Sequence, residues 1–317
     1  FGDNTNYTLG FADYNDGNPI ANGNSISLTK TELQENPIAI SKVITEGTTK
    51  IGYLMYNQFA RNYDGQLNAV FANFKAENID ELIVDLRYNS GGSVATATYL
   101  GSMITGQFTG QLYSQERWND KVMDVSPASL FINNFVDEIR NIDGDQVILQ
   151  ENINSLNFNK VYFIVSNSSA SASELVINSL KAYIDVRVIG RTTRGKQVGS
   201  ITIYDSDNAR RTGTNLNPDH KYALQPLVLE ISNKNGVNYP GGIVPGSADF
   251  PGLELTENYG NLGVLGELSD PLLEATINYM ATGNKSFNKT GNSFGFEEIY
   301  NSKLATPAKD NMFVDLK

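Results

Sequence analysis

The sequence is poor in the residues that most often carry thiol and metal chemistry. Its 317 residues include no cysteine and a single histidine, His220. The missing cysteine excludes disulfide bonds and thiolate nucleophiles, but it does not fix the compartment of the protein. Because the sequence has no metal-ligand cluster of the usual kinds, it predicts a protein that works without a metal centre or a cofactor.

Basic residues and long apolar runs are also scarce. The chain has 24 Lys and Arg residues against 35 Asp and Glu residues, which gives a net charge of −11. This acidic balance argues against nucleic acid or an anionic membrane surface as a main partner, and no apolar run predicts a membrane span. With 40% hydrophobic and 19% charged residues, the composition is typical of a soluble globular protein. The first residue is Phe1 rather than Met, which predicts a processed or truncated chain.

Apolar runs alternate with amphipathic segments through the middle of the chain. We expect buried strands at residues 51–56, 82–86, 161–165 and 186–190, and helices at residues 67–76, 94–104, 172–182 and 272–280. Strands that alternate with helices imply right-handed crossovers, so the pattern predicts an α/β fold with a mixed, largely parallel sheet and flanking helices. Residues 199–204 and 223–232 are expected to add antiparallel strands.

Composition divides the chain into three parts. Asn, Gly, Asp and Thr dominate residues 1–40, which contain short strand-like patches at residues 7–12 and 25–29. Residues 41–281 hold the predicted strands and helices and form the expected core domain. Residues 282–317 are rich in Asn, Lys, Gly and Ser, and they are predicted to be a tail or arm without an assignable role.

Two polar residues have sequence surroundings that present them. Ser171 follows the apolar run 161–165 and precedes a predicted helix, and Lys196 closes the glycine-flanked turn 190–196, 25 residues further on. A serine needs a base to become a nucleophile, and a desolvated lysine can be that base. In a chain without cysteine and with one histidine, this pair is the best candidate for nucleophilic chemistry.

Each candidate also has a purely structural interpretation. A serine of the run 168–173 could cap the following helix, with Glu174 completing a capping box. Lys196 could be a solvated surface residue, because lysine is rarely buried. Residues 89–92, Asn-Ser-Gly-Gly, could form an ordinary turn whose glycines accommodate positive φ.

The arrangement of the motifs favours catalysis over these alternatives. In an open parallel sheet the working crevice lies at the carboxyl ends of the strands, and residues 85–92 and 166–174 both follow predicted strand ends. An oxyanion hole needs two N–H donors that converge near the nucleophile. The N–H group of Ala172, together with that of Gly91 or Gly92, would provide them if the two loops are neighbours.

Three motifs occur in a fixed order along the chain. Residues 85–92 read Asp-Leu-Arg-Tyr-Asn-Ser-Gly-Gly, residues 169–174 read Ser-Ala-Ser-Ala-Ser-Glu, and residues 190–196 read Gly-Arg-Thr-Thr-Arg-Gly-Lys. They resemble, in order and spacing, the motifs of the carboxy-terminal processing proteases, the tail-specific serine peptidases of the S41 class. The Gly-Ile-Val-Pro stretch at residues 242–245 resembles a further segment of that family. The similarity extends from about residue 50 to residue 280.

The resemblance implies a crotonase-like or ClpP-like core in which Ser171 attacks a peptide carbonyl and Lys196 takes its proton. Lowering the pKa of a lysine from about 10.4 to near 7 requires roughly 4–5 kcal/mol, so we expect Lys196 to be largely sequestered. Glu174 lies one helical turn beyond Ser171 and is expected to orient the lysine or a neighbouring group indirectly. A carboxylate that touched the ammonium would instead raise the pKa of the lysine.

The resemblance also implies protein or peptide substrates, bound by C-terminal tails or as unfolded segments, and an extracytoplasmic location, periplasmic or associated with the cell envelope. These proteases usually carry a PDZ domain, which binds carboxyl termini at a sheet edge. Residues 1–40 are too few for one and are predicted to be the end of a truncated PDZ domain. Four residues after the lysine the family commonly has Gln, whereas this chain has Ser200, with Gln197 nearby.

Two other functions remain open from the sequence. The main alternative is a non-catalytic binding module of the same fold that holds an apolar ligand or a peptide, because a fold does not fix a function. Retention of both Ser171 and Lys196 favours the enzyme, since a pure binder has no use for a lysine that is costly to desolvate. A structural or scaffold role is favoured only by the polar ends of the chain.

Overall fold

The computed structural model describes residues 4–15, 18–31, 33–144, 146–211, 213–283 and 312–315. The chain divides into two units, residues 1–36 and residues 37–317. The first unit is an antiparallel hairpin of strands β1 (Asn6–Asn15) and β2 (Asn18–Thr29), in which nearly all described side chains are exposed. The strand-like patches expected in this region are parts of these two longer strands. The assignment of the hairpin to a PDZ domain stays a prediction.

The second unit contains the remaining strands and all the described helices. In chain order its strands are β3 (Ile38–Glu46), β4 (Thr49–Tyr56), β5 (Glu81–Asp85), β6 (Leu112–Trp118), β7 (Ile132–Asn134), β8 (Glu138–Asp143), β9 (Gln146–Asn152), β10 (Lys160–Val165), β11 (Asp185–Gly190), β12 (Val198–Ser200), β13 (Ile203–Tyr204), β14 (Ala223–Leu224), β15 (Leu227–Asn233), β16 (Gly252–Glu254) and β17 (Met312–Phe313). Its α-helices are α1 (Asp64–Ala76), α2 (Val94–Ile104), α3 (Asp120–Met123), α4 (Ala172–Lys181) and α5 (Pro271–Thr282). Short 3-10 helices occupy Arg61–Tyr63 and Ala128–Phe131.

A six-stranded sheet forms the centre of the second unit, with the strand order β16-β11-β10-β5-β4-β3. All neighbouring strands are parallel except β3, which is antiparallel to β4 at the edge. The helices α1, α2 and α4 follow strands of this sheet in the sequence, as crossovers between parallel strands require. The predicted α/β fold with a mixed, largely parallel sheet is therefore confirmed.

Both faces of this sheet are buried, which explains why its strands read as continuous apolar runs rather than as an alternating pattern. In β10 the side chains of Val161, Phe163 and Val165 belong to one hydrophobic cluster, which also contains residues of α1, α2 and α4. Tyr162 and Ile164, on the opposite face, pack in a second cluster with residues of α5. The period of two along the strand thus divides the core into two layers.

A second, five-stranded sheet has the order β17-β12-β15-β6-β7. The strand expected at residues 223–232 corresponds to β14 and β15, and β15 is antiparallel to β12, as predicted. The strand expected at residues 199–204 is divided into β12 and β13. Of the segment expected to be a tail, residues 284–311 and 316–317 lie outside the described residues, and β17 takes an edge position in this sheet.

Candidate active site

Ser171 lies on a strained turn between β10 and α4. Its φ of 64° and ψ of −115° place a non-glycine residue in a conformation that L-amino acids rarely adopt. The residue is 1% exposed, and its Oγ atom is buried without a hydrogen-bond partner among the described residues. Ser171 occupies the N-cap position of α4 and forms a capping box with Glu174, yet its own hydroxyl group makes no hydrogen bond that reaches normal geometry with a described residue.

The neighbouring serines behave differently, because their hydroxyl groups bind the turn to the adjacent loop. Ser169 Oγ donates to the carbonyl oxygen of Leu86 at 2.7 Å, and Ser173 Oγ donates to that of Asn89 at 2.9 Å. Ser166 Oγ donates in the same way to the Arg87 carbonyl. These hydroxyl groups do not cap α4: the N-cap residue of that helix is Ser171, and the side chain of Glu174 accepts its backbone N–H group at 2.9 Å, as a capping box requires.

The glycine turn after β5 lies directly against Ser171. Strands β5 and β10 are adjacent and parallel, so their carboxyl ends meet at the same edge of the sheet. Gly91 has a φ of 115°, and a Cβ atom added to it would lie 2.7 Å from Ser171 Cβ and 3.1 Å from Ala172 N. The sequence-based condition for a shared site, that the two loops are neighbours, is therefore met.

The predicted oxyanion donors differ in what they already bind. The Gly91 N–H group donates to Asn89 Oδ1 at 2.9 Å within its own turn, and Asn89 Nδ2 in turn donates to the carbonyl of Tyr56 at 2.8 Å. Ala172 is the first residue of α4, where a backbone N–H group has no intrahelical acceptor. This pattern favours Gly92 over Gly91 as the partner of Ala172.

Glu174 joins the nucleophile turn to the loop that carries Lys196. Its Oε2 atom accepts hydrogen bonds from the backbone N–H groups of Ser171 at 2.9 Å and Lys196 at 2.8 Å. Its Oε1 atom accepts from Thr193 Oγ1 at 2.5 Å and from the Gly195 N–H group at 2.7 Å. Glu174 thus binds the backbone of Lys196, and its expected role in orienting the lysine stays a prediction.

Ser171 and Lys196 line one small pocket of about 20 Å³ that is partly open to solvent. Lys196 is only partly buried, and so it is less sequestered than the sequence analysis expected. The rest of the lining combines apolar side chains with amides and one carboxylate: Glu174, Leu175, Asn178, Gln197, Ile231, Asn238, Tyr239 and Ile243. Ser200 does not line the pocket, and its Oγ atom donates to the Met312 carbonyl at 3.1 Å.

A buried ion network holds the Asp-Leu-Arg motif in place. Arg87 is 1% exposed, and its Nη2 atom lies 2.7 Å from carboxylate oxygens of both Asp85 and Asp270, while Nη1 lies 3.1 Å from Glu257 Oε1. Burial by itself would lower the pKa of Arg87, but the carboxylates, with Asp85 first, raise it, so the guanidinium stays charged. Tyr53 Oη also donates to Asp85 at 2.8 Å.

Sequence reasoning missed Glu257 and Asp270 as supports of this turn. Asp270 also caps α5, because its Oδ1 atom accepts the Leu272 N–H group at 3.1 Å. The pair Asp270-Pro271 is a recognisable helix start, but no local signal joins it to Arg87, 183 residues earlier. In the described part of the chain, no group of three or more His, Cys, Asp or Glu side chains is placed to hold a metal ion.

An α/β fold with a serine on a strained turn, and with a lysine in the same pocket, is typical of a serine-type hydrolase. The family model of peptidase family S41 matches residues 50–216, which is 167 of the 317 residues and includes Ser171, Glu174 and Lys196. The chain therefore belongs to peptidase family S41, which is a family of serine-type peptidases.

Individual relatives are distant and longer than this chain. A probable CtpA-like serine protease of Staphylococcus epidermidis is 26% identical over 196 residues, which are 60% of this chain and 35% of that protein. A probable CtpA-like serine protease of Staphylococcus aureus is 22% identical over 194 residues, 60% of this chain and 34% of that protein. The chain thus spans about a third of the length of these curated relatives.

Similarity to solved structures extends further along the chain. The crystal structure of a putative S41 protease from Bacteroides fragilis has a TM-score of 0.64 and 22% sequence identity, and the match covers 89% of this chain and 68% of that one. At this level of identity, the similarity shows that the two chains share a fold. No described helix of this chain is long and apolar enough to cross a membrane.

Proposed function

We propose that this chain hydrolyses peptide bonds through an acyl-enzyme, with Ser171 as the nucleophile and Lys196 as the general base. The observation that carries the proposal is the Ser171 hydroxyl, which is buried, has no partner among the described residues, and lines the same pocket as Lys196. Leaving a buried hydroxyl unsatisfied costs roughly 1–3 kcal/mol. Ser179 Oγ also lacks a partner among the described residues, but Ser171 is the one of the two that lines the pocket of Lys196. Its place on a strained turn at the strand ends supports a catalytic role.

The first half of the reaction forms the acyl-enzyme. The neutral amine of Lys196 takes the proton of the Ser171 hydroxyl while Oγ forms a bond to the carbonyl carbon of the substrate. The carbonyl oxygen becomes an oxyanion, which the N–H groups of Ala172 and Gly92 stabilise. The C–N bond then breaks, the leaving amine takes the proton from Lys196, and an ester remains on Ser171.

The second half releases the new carboxyl terminus. A water molecule gives a proton to Lys196 and adds to the ester carbonyl, and the same two N–H groups stabilise the oxyanion. The bond between the carbonyl carbon and Ser171 Oγ breaks, and the proton returns from Lys196 to Oγ. Glu174 is a positioning residue throughout, because its hydrogen bonds hold the backbones of Ser171 and Lys196 together.

We propose C-terminal or unfolded segments of proteins as the substrates. The resemblance of the motifs to those of carboxy-terminal processing proteases supports this, and the pocket beside Ser171 is partly open to solvent, with apolar side chains in its lining that a peptide can contact. The extracytoplasmic location, which that resemblance also implies, stays a prediction.

Replacement of Ser171 or Lys196 by alanine tests the dyad. We expect Ser171→Ala and Lys196→Ala each to abolish cleavage of an unfolded casein, while Ser179→Ala retains it. Ser179 is a matched control because it is a buried serine on α4 that does not line the pocket. A chelator should leave the rate unchanged. Activity within a few-fold of the original in either dyad variant would contradict the assignment.

The binding module is the second candidate, and the same protein samples distinguish it. A fluorescent peptide that ends in a free carboxylate should bind to Ser171→Ala and remain intact, but it should be cleaved by the unmodified chain. Binding without cleavage by the unmodified chain would instead support a non-catalytic module.

A further inference from the structure

Strand β17 is joined on one edge to the segment that carries Lys196. Met312 and Phe313 pair in parallel with Gly199 and Ser200 of β12, which begins two residues after Lys196. The Val314 N–H group donates to the Ser200 carbonyl at 3.1 Å, and Ser200 Oγ donates to the Met312 carbonyl. These bonds fix the strand that follows Lys196.

The other edge of β17 is joined to the glycine turn beside Ser171. The Phe313 N–H group donates to the Gly92 carbonyl at 3.1 Å, and Phe313 forms a parallel bridge with Ser93. On its far side the same turn pairs with Phe59, whose N–H group donates to the Gly91 carbonyl at 2.9 Å. Strand β17 therefore contacts the segment that carries Lys196 on one edge and the glycine turn beside Ser171 on the other edge.

The strand is anchored as a part of the core. Met312 is 0% exposed and belongs to the main hydrophobic cluster, and Val314 packs against the same cluster. Asp315 adds an ion pair at 2.7 Å between its Oδ2 atom and Nη1 of Arg61, in the segment that follows Phe59. A segment held in this way acts as a fixed support, whereas a bound peptide could leave.

We propose that residues 312–315 are a positioning strand for catalysis, which fixes the Lys196 segment relative to the N–H donor of Gly92. Consecutive N–H groups of a strand point to opposite edges, so Phe313 and Val314 hold the two halves of the site at a spacing that the backbone sets. Glu174 accepts the backbone N–H group of Lys196, and β17 binds the strand that follows Lys196, so the lysine segment is held on both sides of the residue. A misplacement of about 1 Å in an active site can reduce turnover about 100-fold. This inference rests on the proposed function.

Proline substitutions separate the two edges of the strand, because proline has no N–H group. Val314→Pro removes the bond to Ser200, and Phe313→Pro removes the bond to Gly92. We expect each to lower kcat at least 10-fold and to change KM less than 3-fold. In Val314→Pro the pH at which kcat rises should also move by at least half a unit, because the base is displaced, whereas Phe313→Pro should keep the original pH profile.

A milder pair of variants guards against loss of folding. Asp315→Ala removes the ion pair with Arg61 and should lower kcat a few-fold with KM unchanged. Asp249→Ala is the matched control, because it removes a similarly exposed ion pair, with Lys181, and should leave kcat unchanged. Ile277→Ala, in the second hydrophobic cluster, controls for a general loss of stability.

Hydrogen exchange of the backbone amides tests, independently of activity, whether β17 holds the two segments that it binds. In Val314→Pro, peptides that cover residues 198–200 and residues 92–93 should both exchange faster than the same peptides of Ile277→Ala. Each variant is measured at the same interval below its own unfolding temperature. Faster exchange confined to residues 312–315, with kcat and pH profile like those of Ile277→Ala, would overturn the positioning role. If the unmodified chain cleaves no peptide, the proposed function fails, and the exchange result still decides whether the strand holds both segments.

Discussion

Glu174 is the residue on which the two halves of the candidate site depend most. A carboxylate offers only acceptors, and here four donors from the nucleophile turn and the lysine loop surround it: the backbone N–H groups of Ser171, Gly195 and Lys196 and the hydroxyl of Thr193. An amide of the same shape cannot accept at both of its ends. The structure therefore requires an acidic residue here, whereas a capping box alone would also accept Gln.

Glu174→Gln should weaken both stability and turnover. In its better orientation the amide nitrogen would face the Gly195 N–H group and the Thr193 hydroxyl, which can rotate to accept. One N–H group then stays unsatisfied, so we expect a loss of about 1–3 kcal/mol in the free energy of unfolding. We also expect kcat to fall at least 10-fold, because the Lys196 loop loses its anchor. Denaturant unfolding and peptide cleavage measure the two effects.

A matched control separates charge from geometry. Glu274→Gln makes the same chemical change at an exposed position of α5. It should change the free energy of unfolding by at most about 0.5 kcal/mol and leave kcat nearly unchanged. Equal behaviour of the two variants would mean that the hydrogen bonds of Glu174 do not support the site.

At the scale of elements, the site is built where two strand-to-helix turns meet. The turn after β5 needs glycine at position 91, because its φ is 115° and because Ser171 leaves no room for a side chain. Gly91→Ala should therefore push the two turns apart and reduce kcat about 100-fold or more, while KM and the overall fold change little.

Gly47→Ala is the control for the backbone conformation alone. Gly47 also has a positive φ, of 60°, but an added Cβ atom would meet no atom within 4 Å. We expect this variant to be less stable by about 1 kcal/mol and to keep its full activity. Normal turnover in Gly91→Ala would show that the close approach of this turn is not needed for the chemistry.

At the scale of the whole molecule, the buried carboxyl of Asp64 makes stability depend on pH. Asp64 begins α1, is 0% exposed, and accepts a hydrogen bond from Asn141 Nδ2 at 2.8 Å. Burial raises its pKa from 3.8 to about 6, while Asn141 and Arg61 lower it in part. Between these two values the folded protein therefore holds a proton that the unfolded chain releases.

The sign of the effect follows from this proton. Because the folded state binds more protons in that window, the free energy of unfolding should fall as the pH rises from about 4 to about 6, and then stay level. A shift of about 2 pH units corresponds to about 3 kcal/mol. Asp64→Asn should abolish this fall, which denaturant unfolding at a series of pH values can measure. Asp120→Asn, at an exposed position, reports the effect of removing one charge and should retain the fall.

Residue patterns alone predict most of the central sheet, its flanking helices and the order of the motifs. The apolar runs predict β4, β5, β10 and β11 within two residues of their observed bounds, because a fully buried strand is a short continuous run of apolar residues. Helix α2 has its predicted bounds, and ten of its eleven residues are buried. The sequence also predicts that Ser171 lies between a strand and a helix, because a strand end and a helix start both have local signals. The segment between α2 and β10 contains the strands β6 to β9, but its residues show no such pattern.

The contacts between distant elements become visible only in the folded chain. It distinguishes Ser171 from its neighbours, because the acceptors that occupy Ser169 and Ser173 belong to a loop more than 80 residues away. It pairs Arg87 with Asp270 and sets residues 312–315 beside both Gly92 and Ser200, where composition suggested a tail. A short strand with one buried side chain has too little sequence to show a period. Its position depends on long-range backbone hydrogen bonds, which any residue but proline can donate.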